Sequence, residues 1–215
     1  MKTWYIIPAR KDSKGIKYKN RKLFNYTAII LPKEVNDQVI VSSNDSHILE
    51  AAAKFGFSCI SRNGEISLDN SSMKDVLLDV IAKKEIPPED DIVLLYLTYP
   101  QRKWHDVEEI YQFYRDNNAK SLSCSIDVAD HPFLCYYETD GIYGRQVVPH
   151  TMYRRQDYPR CFRQSLFVGI YQASEVPRLN DSLLCEDTVF FKLKRKVIDI
   201  DQAMDMIQFE ESDDC

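Results

Sequence analysis

The sequence predicts a three-layer α/β fold in which helices cover both faces of a doubly wound, mostly parallel sheet. Short apolar runs rich in β-branched residues indicate buried strands, most clearly at residues 39–43 and 92–97. Between such runs, apolar residues recur at helical spacing, most regularly from Met73 to Ile81. Strands that alternate with helices at this spacing favour parallel pairing through right-handed crossovers.

The predicted elements follow one another in a regular order. We expect buried strands at residues 4–7, 39–43, 57–60, 92–97, 122–126, 168–171 and 197–201. We expect helices at residues 46–55, 71–86 and 107–114, and a closing helix that opens at Asp201 or Gln202. Pro8 is expected to end the first strand, and residues 23–32 form either a short helix or a turn.

The alternation breaks at residues 130–165, inside what is otherwise a single domain spanning residues 1–215. Aromatic and turn-forming residues dominate this segment, and Asp140-Gly141 predicts a hairpin. A hairpin inserted late in an α/β domain rarely buries both of its faces by itself. We therefore expect this small β-rich insert either to fold back as a lid or to pack on another subunit.

Composition narrows the class of protein. The chain has 215 residues, of which 44% are hydrophobic, enough for one well-filled globular domain. A net charge of −5 argues against general nucleic-acid binding. The six cysteines are dispersed without a Cys-x-x-Cys spacing, a pattern typical of reduced cytosolic thiols. The sequence shows neither a signal-peptide core nor a long apolar span, so we expect a soluble, cytoplasmic protein with no membrane contact.

The first strand leads into a loop crowded with cations. Its basic residues are Arg10, Lys11, Lys14, Lys17, Lys19, Arg21 and Lys22. Ligands of open α/β sheets bind at the carboxyl ends of strands, which is where this loop begins. Ser13 offers a hydroxyl, Gly15 permits close backbone approach, and backbone amides with basic side chains can cradle a triphosphate. For the charges alone, a solvated basic loop is the default interpretation.

Two carboxylates alternate near the other end of the chain. In an extended segment, Asp199 and Asp201 would project to the same side while Ile198 and Ile200 pack inward. Paired carboxylates repel each other unless a cation lies between them, and Mg²⁺ prefers few carboxylates plus substrate phosphates. The alternative is that Asp201 only caps the last helix and Asp199 is solvated. Asp205 is expected to support the start of that helix.

The basic loop also matches a known motif. Arg10, Ser13-Lys14-Gly15-Ile16 and Lys19-Asn20 resemble the signature of the CMP-sialic acid synthetases, the cytidylyltransferases that activate nine-carbon keto-acid sugars. The resemblance implies a nucleotide-diphospho-sugar transferase-like fold and transfer of CMP from CTP to the anomeric hydroxyl of a 3-deoxy nonulosonic acid, with release of pyrophosphate. It also implies a homodimer in which the insert reaches the neighbouring subunit's site.

The resemblance assigns roles to residues of this sequence. The phosphates would be held during catalysis by Arg10, Lys14 and Lys19. The other residues assigned to CTP are Ser13, Gly15, Asn20, Arg62 and Ser71. The Asn20 amide offers both a donor and an acceptor to the pyrimidine. Without the resemblance, Arg62 would be an ordinary surface residue and Ser71 an ordinary helix cap.

The resemblance also implies a metal site and a sugar site. Asp199 and Asp201 match the family's Mg²⁺-binding element. The candidates for sugar binding are Tyr96, Arg163 and Arg155. Arg163 is the better candidate for a sugar carboxylate, because its planar guanidinium suits one, whereas Arg155 could serve the dimer instead.

Departures from the family pattern concentrate in the expected sugar pocket. Tyr96, Leu97 and Tyr99 stand where the family has Gln, Pro and Ser, and Leu134 stands where it has Lys. Tyr96 could keep a hydroxyl for a sugar or simply pack in the core. Two alternatives therefore stay open: a cytidylyltransferase for another sugar acid, such as the eight-carbon Kdo, and a catalytically inactive nucleotide-binding homologue.

Overall fold

The computed structural model describes residues 1–11, 15–62 and 72–213. Within these ranges the strands are β1 (Thr3–Ala9), β2 (Val39–Ser43), β3 (Ser58–Ser61), β4 (Asp91–Leu94), β5 (Ser121–Asp127), β6 (Tyr136–Thr139), β7 (Tyr143–Gln146), β8 (Phe162–Gln172) and β9 (Val189–Lys192). The α-helices are α1 (Lys19–Ala28), α2 (Ser46–Lys54), α3 (Met73–Lys84), α4 (Trp104–Asp116) and α5 (Ala203–Asp213). None of these helices has the length and apolar character needed to cross a membrane.

The central sheet has the strand order β3-β2-β1-β4-β8-β5-β9. Strands β3, β2, β1 and β4 pair in parallel, as do β5 and β9. Among the described strands of this sheet, β8 alone runs antiparallel to its neighbours, β4 and β5. Because β1 lies between β2 and β4, the carboxyl ends of β1 and β4 border the crevice where open α/β sheets bind ligands. The predicted mostly parallel sheet is confirmed.

Helices cover both faces of this sheet, as the sequence predicted. On one face, Ile7 and Ala9 of β1 pack with apolar residues of α1, α2, α4 and α5. On the other face, Ile6 packs with α3 and with a 3₁₀ helix at Ala173–Arg178. Successive residues of β1 thus alternate between the two faces, as the pleat of a strand requires. Burial on both faces fixes the strand that leads into the basic loop.

Of the two alternatives proposed for residues 23–32, a short helix or a turn, the helix is correct as far as Ala28. It begins at Lys19, earlier than predicted, and ends at Ala28. The residue before it, Tyr18, has a φ of 56°, in the left-handed region. The chain therefore turns sharply before Lys19, and the first helical turn presents Lys19 and Asn20 at the end of β1.

Two predicted strand ends were wrong. Pro8 does not end β1: it pairs with Ser42 of β2, and the strand continues to Ala9. A proline is tolerated there because β4 pairs with β1 only as far as Ile6, so no β4 residue lies beside Pro8 to require an N–H. Strand β4 itself ends at Leu94 rather than at residue 97.

The strand predicted at residues 197–201 was also wrong, and β9 forms earlier in the chain instead. Residues 197–201 cross the loop that follows β4. The Ile200 N–H donates to the Thr98 carbonyl at 2.9 Å, and the Ile198 N–H donates to the Gln101 side chain at 3.1 Å. Ile200 is fully buried, so its inward packing was predicted correctly although the segment pairs with a loop and not with a strand.

The hairpin predicted at Asp140-Gly141 is confirmed. Strands β6 and β7 pair antiparallel and form a separate two-stranded sheet. Asp140 and Gly141 have φ values of 52° and 73°, in the left-handed region that tight hairpin loops use. The hairpin exposes a group of apolar side chains, namely Tyr136, Tyr137, Ile142 and Tyr143. The bounds of the insert and its role as a lid or subunit contact stay predictions.

Candidate active site

Two adjoining cavities open where β1 and β4 end. The small cavity, of about 430 Å³, has Arg10, Gly15, Lys19, Asn20 and Arg62 in its lining. The large cavity, of about 940 Å³, has Tyr99, Arg163, Lys196 and Asp199 in its lining. Tyr96 and Asp201 line both, so the two cavities share a wall and form one site. The basic loop and the acidic pair, which are far apart in the sequence, meet at this site.

Gly15 lies directly against the acidic segment. A Cβ atom at Gly15 would be 2.2 Å from the backbone carbonyl oxygen of Asp201, far inside van der Waals contact. Because that atom belongs to the backbone, a side chain at position 15 would displace one of the two segments. Glycine is therefore required here for close approach of the basic loop to residue 201.

Lys19 joins the start of α1 to the same segment. Its ammonium group donates to the Ile200 carbonyl at 2.8 Å and to Asp201 Oδ1 at 2.9 Å. Lys19 is 8% exposed, whereas 69% of the Asp201 side chain is exposed. An ammonium group has three donors, so one N–H of Lys19 is still available to a ligand in the small cavity.

Asn20 supports the loop that follows β1. Its side-chain amide nitrogen donates to the Arg10 carbonyl at 2.8 Å, which ties the first turn of α1 to the end of the strand. The amide oxygen of Asn20 has no hydrogen-bond donor among the described residues and can accept one from a ligand. Asn20 is buried and lines the small cavity, so its polar groups are directed at a confined space.

An ion pair anchors α1 to the loop that follows β2. Arg21 donates from Nε and Nη2 to the two carboxylate oxygens of Asp45, at 2.6 and 3.0 Å, and lies over the Tyr18 ring. Asp45 also accepts the His47 N–H and so caps α2. Burial raises the pKa of Asp45, but the hydrogen bonds and the charge of Arg21 outweigh burial and bring the pKa below its ordinary value. The pair fixes the first turn of α1.

Arg62 follows β3 and is 8% exposed. Its Nε donates to Ser42 Oγ at 3.0 Å. Its Nη2 is buried and has no hydrogen-bond partner in the part of the chain that the structure describes. Burial lowers the pKa of Arg62 to about 10, so the group stays charged at neutral pH. A buried guanidinium with an unsatisfied N–H at the edge of the small cavity suits a ligand rich in acceptors.

Asp199 is held by the loop that follows β4. Tyr99 donates its hydroxyl hydrogen to Asp199 Oδ2 at 2.8 Å, and Thr98 hydrogen-bonds the same carboxylate. Burial and the nearby charge of Asp201 raise the pKa of Asp199 above its ordinary value, against the effect of those hydrogen bonds. Asp199 is therefore a desolvated carboxylate beside a like charge, which a bound cation would stabilise.

Asp205 caps α5, as the sequence predicted. Its carboxylate accepts the backbone N–H groups of Asp201 and Gln202, at 2.9 and 2.7 Å. These are backbone donors at a helix start, which would otherwise lack partners. With Asp205 committed to the cap and Lys19 bound to Asp201, the backbone of residue 201 is held from both sides.

Asp199 and Asp201 fit a divalent cation. Both line the large cavity, and the raised pKa of Asp199 reflects in part the repulsion between them. Among the residues that the structure describes, no cluster of three His, Cys, Asp or Glu side chains could hold a metal by itself. A pair of carboxylates is nevertheless the protein contribution that Mg²⁺ uses when phosphates complete its coordination.

Tyr96 stands at the boundary between the two cavities. Burial raises the pKa of its hydroxyl well above the ordinary value, and the charges of Arg62 and Asp199 also act on that pKa in opposite directions. Its hydroxyl thus lies within range of one charged group from each cavity. The backbone carbonyl of Tyr96 accepts from the fully buried Arg102 at 2.7 Å, which fixes the residue.

Three basic residues, the candidates Arg163 and Arg155 and the additional Lys196, differ in their placement relative to the large cavity. Arg163 of β8 and Lys196 both line it, and neither forms an ion pair within the described part of the chain. Lys196 was missed by the sequence reasoning, because it sits in the basic run 192–196 that resembles a solvated surface. Arg155 lies exposed in a 3₁₀ turn at Arg155–Asp157 and lines neither cavity. The structure does not bring Arg155 to this site.

Several site residues lie outside the described residues, and others were not predicted. Ser13, Lys14 and Ser71 lie outside, and Ser72 is the residue that caps α3. The roles of Arg21 and Asp45 in anchoring α1, and of Tyr99 in holding Asp199, were missed. Arg21 belonged to the basic cluster, but nothing in the sequence alone pairs it with Asp45.

The family model and the two relatives described below, found by comparison with known sequences, all carry the name cytidylyltransferase. The cytidylyltransferase family model matches residues 4–131. The chain is 26% identical, over 218 residues, to N-acylneuraminate cytidylyltransferase of Streptococcus agalactiae serotype V, covering 96% of this chain and 52% of that protein. It therefore spans about half the length of that relative. It is also 26% identical, over 220 residues, to pseudaminic acid cytidylyltransferase of Campylobacter jejuni, covering 96% of this chain and 94% of that protein.

Comparison with solved structures gives the same fold. A structure of CMP:2-keto-3-deoxy-manno-octonic acid synthetase complexed with CTP has a TM-score of 0.68 at 17% identity and covers 100% of both chains. A structure of Francisella tularensis 2-C-methyl-D-erythritol 4-phosphate cytidylyltransferase has a TM-score of 0.63 at 12% identity and covers 99% of both chains. These likenesses confirm the predicted fold class.

Proposed function

Because this chain belongs to the cytidylyltransferase family, we propose that it transfers CMP from CTP to the anomeric hydroxyl of a 3-deoxy nonulosonic acid. The sugar hydroxyl attacks the α-phosphorus of CTP and loses its proton, the bond to the bridging oxygen breaks, and pyrophosphate leaves. Both sequence relatives described above carry names of cytidylyltransferases for nine-carbon sugar acids, which supports this class of acceptor.

One observation carries the proposal: the small and large cavities share Tyr96 and Asp201 as lining residues. Phosphoryl transfer needs two substrates held in line, with charge neutralised between them, more than it needs covalent chemistry from the protein. A small basic cavity suits the nucleotide and its phosphates. The large cavity suits a nine-carbon sugar acid, and the boundary at Tyr96 and Asp201 is where the reacting atoms would meet.

The small cavity supplies groups for CTP. Arg10 and Lys19, which line this cavity, would bind the phosphates, and we propose the same role for Lys14 and Ser13. The close approach at Gly15 lets loop amides contribute. The amide oxygen of Asn20, which no described residue bonds, would accept from the cytosine amino group.

Arg62, which lines the small cavity, and Ser71 complete the proposed nucleotide site. The unsatisfied Nη2 of Arg62 would donate to the nucleotide. Ser71 is proposed to border the base. The other contacts to the nucleotide are proposed to come from the loop after β1 and the first turn of α1.

Asp199 and Asp201 are the residues proposed to hold Mg²⁺. When bound there, the ion would neutralise charge on the CTP phosphates. The raised pKa of Asp199 and the exposure of the Asp201 side chain support this assignment, since both carboxylates gain from a nearby cation. The Lys19 ammonium would meanwhile keep residue 201 in place and offer its third N–H to a phosphate oxygen.

The large cavity supplies groups for the sugar acid. Arg163 is proposed to bind the sugar carboxylate, because a guanidinium can donate two parallel hydrogen bonds to it. The Tyr96 hydroxyl would contact the sugar near its anomeric centre. These two residues lie on different elements, β8 and the loop after β4, so together they can orient the acceptor relative to CTP.

A homodimer built on the β6–β7 hairpin is proposed as well. Tyr136, Tyr137 and Tyr143 are each more than half exposed, and Ile142 at the hairpin tip is 82% exposed. A contiguous exposed group of this kind is typical of a contact surface. Arg155, which lies in the same insert, would then act at the subunit interface. We also propose a cytoplasmic location, supported by the free thiols of Cys59, Cys124, Cys135, Cys161 and Cys185.

The experiment that tests the function measures pyrophosphate release from CTP and Mg²⁺ with a panel of acceptors. N-acetylneuraminate, pseudaminate and KDN represent nonulosonic acids, and Kdo represents the shorter acids. We expect release with at least one nine-carbon acid and little with Kdo. Pyrophosphate release with Kdo alone would mean that the acceptor is an eight-carbon sugar acid and not a nonulosonic acid. CTP binding without turnover of any acid would indicate an inactive homologue.

An Asp201→Ala variant serves as the catalytic control in this assay. Because its side chain is largely exposed, removing it should leave the fold intact while lowering turnover by a factor of about 100 or more. Turnover like that of the wild type would exclude a metal role for Asp201.

A further inference from the structure

We propose that Tyr99 is a positioning residue that holds the Asp199 carboxylate in the orientation that binds the divalent cation. The inference rests on the proposed function, and specifically on the metal role of Asp199. Tyr99 itself is not assigned to substrate or metal. It acts through the carboxylate to which it donates.

Tyr99 uses the full hydrogen-bonding capacity of its hydroxyl. The oxygen donates to Asp199 Oδ2 at 2.8 Å, accepts the Leu166 N–H at 3.2 Å and lies 3.4 Å from Ser165 Oγ, which can donate to it. A phenol has one hydrogen and two lone pairs. Because the Leu166 N–H can only donate and the ionised Asp199 carboxylate can only accept, the single hydrogen of Tyr99 is directed at Asp199.

The Tyr99 ring is fixed as well as its hydroxyl. The residue is 3% exposed, and its ring packs edge-on against Phe167 with 5.6 Å between ring centroids. The hydrogen bonds from Leu166 and Ser165 to the same oxygen hold the hydroxyl end of the ring in place. Asp199 is therefore held by a rigid group and not by a flexible side chain.

The bonds behind Tyr99 come from an irregularity in β8. The pairing register between β5 and β8 shifts and leaves residues 166–168 of β8 without partners on β5. The Leu166 N–H in this bulge donates to Tyr99, and the Phe167 carbonyl accepts from Arg102 Nε at 2.9 Å. Tyr99 and Arg102, in the loop after β4, thus form hydrogen bonds with backbone groups that the bulge leaves without partners on β5.

The part of β8 just before this bulge forms a wall of the large cavity through Arg163, Gln164 and Ser165. Tyr99 therefore connects the wall proposed for the sugar with the carboxylate proposed for the metal. In this arrangement the orientation of Asp199 depends on the register of β8. A hydroxyl that supports a ligand in this way is the kind of outer partner that tunes metal affinity.

The chain contains a matched pair remote from the site. Tyr114 is 2% exposed and donates its hydroxyl to the buried Asp91, with 2.9 Å between Oη and Oδ1. Asp91 begins β4, at the end of the strand opposite the cavities. Tyr114→Phe and Tyr99→Phe thus each remove one bond from a buried tyrosine to a carboxylate, but only the Tyr99 bond reaches the site.

The test measures Mn²⁺ binding by calorimetry, with CTP present and no sugar, for the wild type and both variants. We expect Tyr99→Phe to weaken Mn²⁺ binding by a factor of about 10. The Mg²⁺ concentration that gives half-maximal pyrophosphate release should rise by a similar factor, while kcat at saturating Mg²⁺ changes little. Tyr114→Phe should lower the Tm and leave Mn²⁺ binding unchanged.

A second background isolates the action through Asp199. In Asp199→Asn protein, adding Tyr99→Phe should not weaken Mn²⁺ binding further, because the group through which Tyr99 acts is already changed. Thermal unfolding checks that each variant folds. Should Tyr99→Phe fail to fold, Tyr99→Met takes its place, because an unbranched side chain adapts to the same space.

The outcomes separate this inference from the proposed function. If the wild type binds Mn²⁺ with CTP and Tyr99→Phe binds it equally well, the inference is wrong and the function stands. If the wild type binds no Mn²⁺ in the presence of CTP, the metal role and the inference are wrong together. Equal weakening by Tyr114→Phe would show a general loss of stability and would also overturn the positioning role.

Discussion

Lys19 and Asp201 lie 182 positions apart in the chain, and their side chains form an ion pair with 2.9 Å between Nζ and Oδ1. Lys19 begins the first helix, and Asp201 precedes the last one. The same ammonium also donates to the Ile200 carbonyl. The two ends of the domain are thus joined at the site itself. A ligand that binds the Lys19 ammonium also changes the electrostatic environment of Asp201.

Replacement of Lys19 by Met should lower kcat/KM by a factor of about 100 or more, because the change removes a charge that the transition state needs. The free energy of unfolding should fall by about 1–3 kcal/mol, because the change also removes the buried hydrogen bond to the Ile200 carbonyl. The Asp201 carboxylate is largely exposed and can be solvated when its partner is lost, whereas the buried Ile200 carbonyl loses a hydrogen-bond donor. Pyrophosphate release and thermal unfolding measure the two effects.

Lys22→Met is the control for that variant, since Lys22 lies exposed on the same helix. Its activity should match that of the wild type. An equal loss of activity in both variants would mean that the net charge of the basic segment, and not the placement of Lys19, is what matters.

Replacement of Gly15 by Ala should raise the KM for CTP and lower kcat, because the new methyl group would displace the basic loop from the Asp201 carbonyl. Gly56→Ala provides the comparison. Gly56 follows α2 with a φ of 81°, so alanine there should cost roughly 1 kcal/mol of stability without affecting the site. Steady-state kinetics with CTP as the varied substrate should distinguish the variants, and an unaltered KM in Gly15→Ala would refute the contact.

Much of the fold could be predicted from the sequence because local pattern and burial agree. The runs at 39–41 and 92–94 are continuously apolar and are buried on both faces, which is what a central parallel strand requires. The alternation at 197–201 misled because a segment that packs on a loop can also bury an apolar residue, here Ile200, between polar ones. Ile200 donates to Thr98, a loop residue, and no period in the sequence distinguishes that partner from a strand.

The site was harder to predict than the fold because its support is non-local. The motif places Lys19 and Asn20, since their spacing from β1 is local. The hydrogen bond from Tyr99 to Asp199 joins residues 100 positions apart. The orientation of Tyr99 depends in turn on a register shift in β8 that no local sequence pattern predicts. Arg155 and Arg163 lie in one motif, but only β8 directs Arg163 to the cavity.

Replacement of Ile142 by Glu should weaken the proposed homodimer. Ile142 is 82% exposed at the tip of the hairpin, so a charge there costs nothing in the monomer but would be buried in a subunit contact. Ile29→Glu is the matched control, because Ile29 is 67% exposed outside the insert. Sedimentation velocity over a range of concentrations should show monomer only for Ile142→Glu, and an intact dimer in that variant would place the interface elsewhere.

Asp199 should lower the stability of the metal-free protein at neutral pH, and Asp199→Asn should therefore be more stable than the wild type. Burial and the charge of Asp201 raise the folded-state pKa of Asp199 above its ordinary value. The folded state then holds a proton that the unfolded state has released, so stability falls as pH rises between the ordinary and the raised pKa. Asparagine cannot ionise and escapes this cost, although it should be inactive.

Asp45 provides the comparison for Asp199, because its effect on stability at neutral pH should have the opposite sign. Its pKa is lowered by Arg21 despite burial, so its contribution to stability is present above the ordinary carboxyl pKa and is lost as pH falls through the folded-state value. Asp45→Asn should therefore be less stable than the wild type at about pH 7. Thermal unfolding in EDTA, from about pH 7 down to about pH 4, should show the advantage of Asp199→Asn shrinking with acidity. An Asp199→Asn protein less stable than the wild type at neutral pH would mean that the Tyr99 and Thr98 hydrogen bonds outweigh the cost of burying the charge.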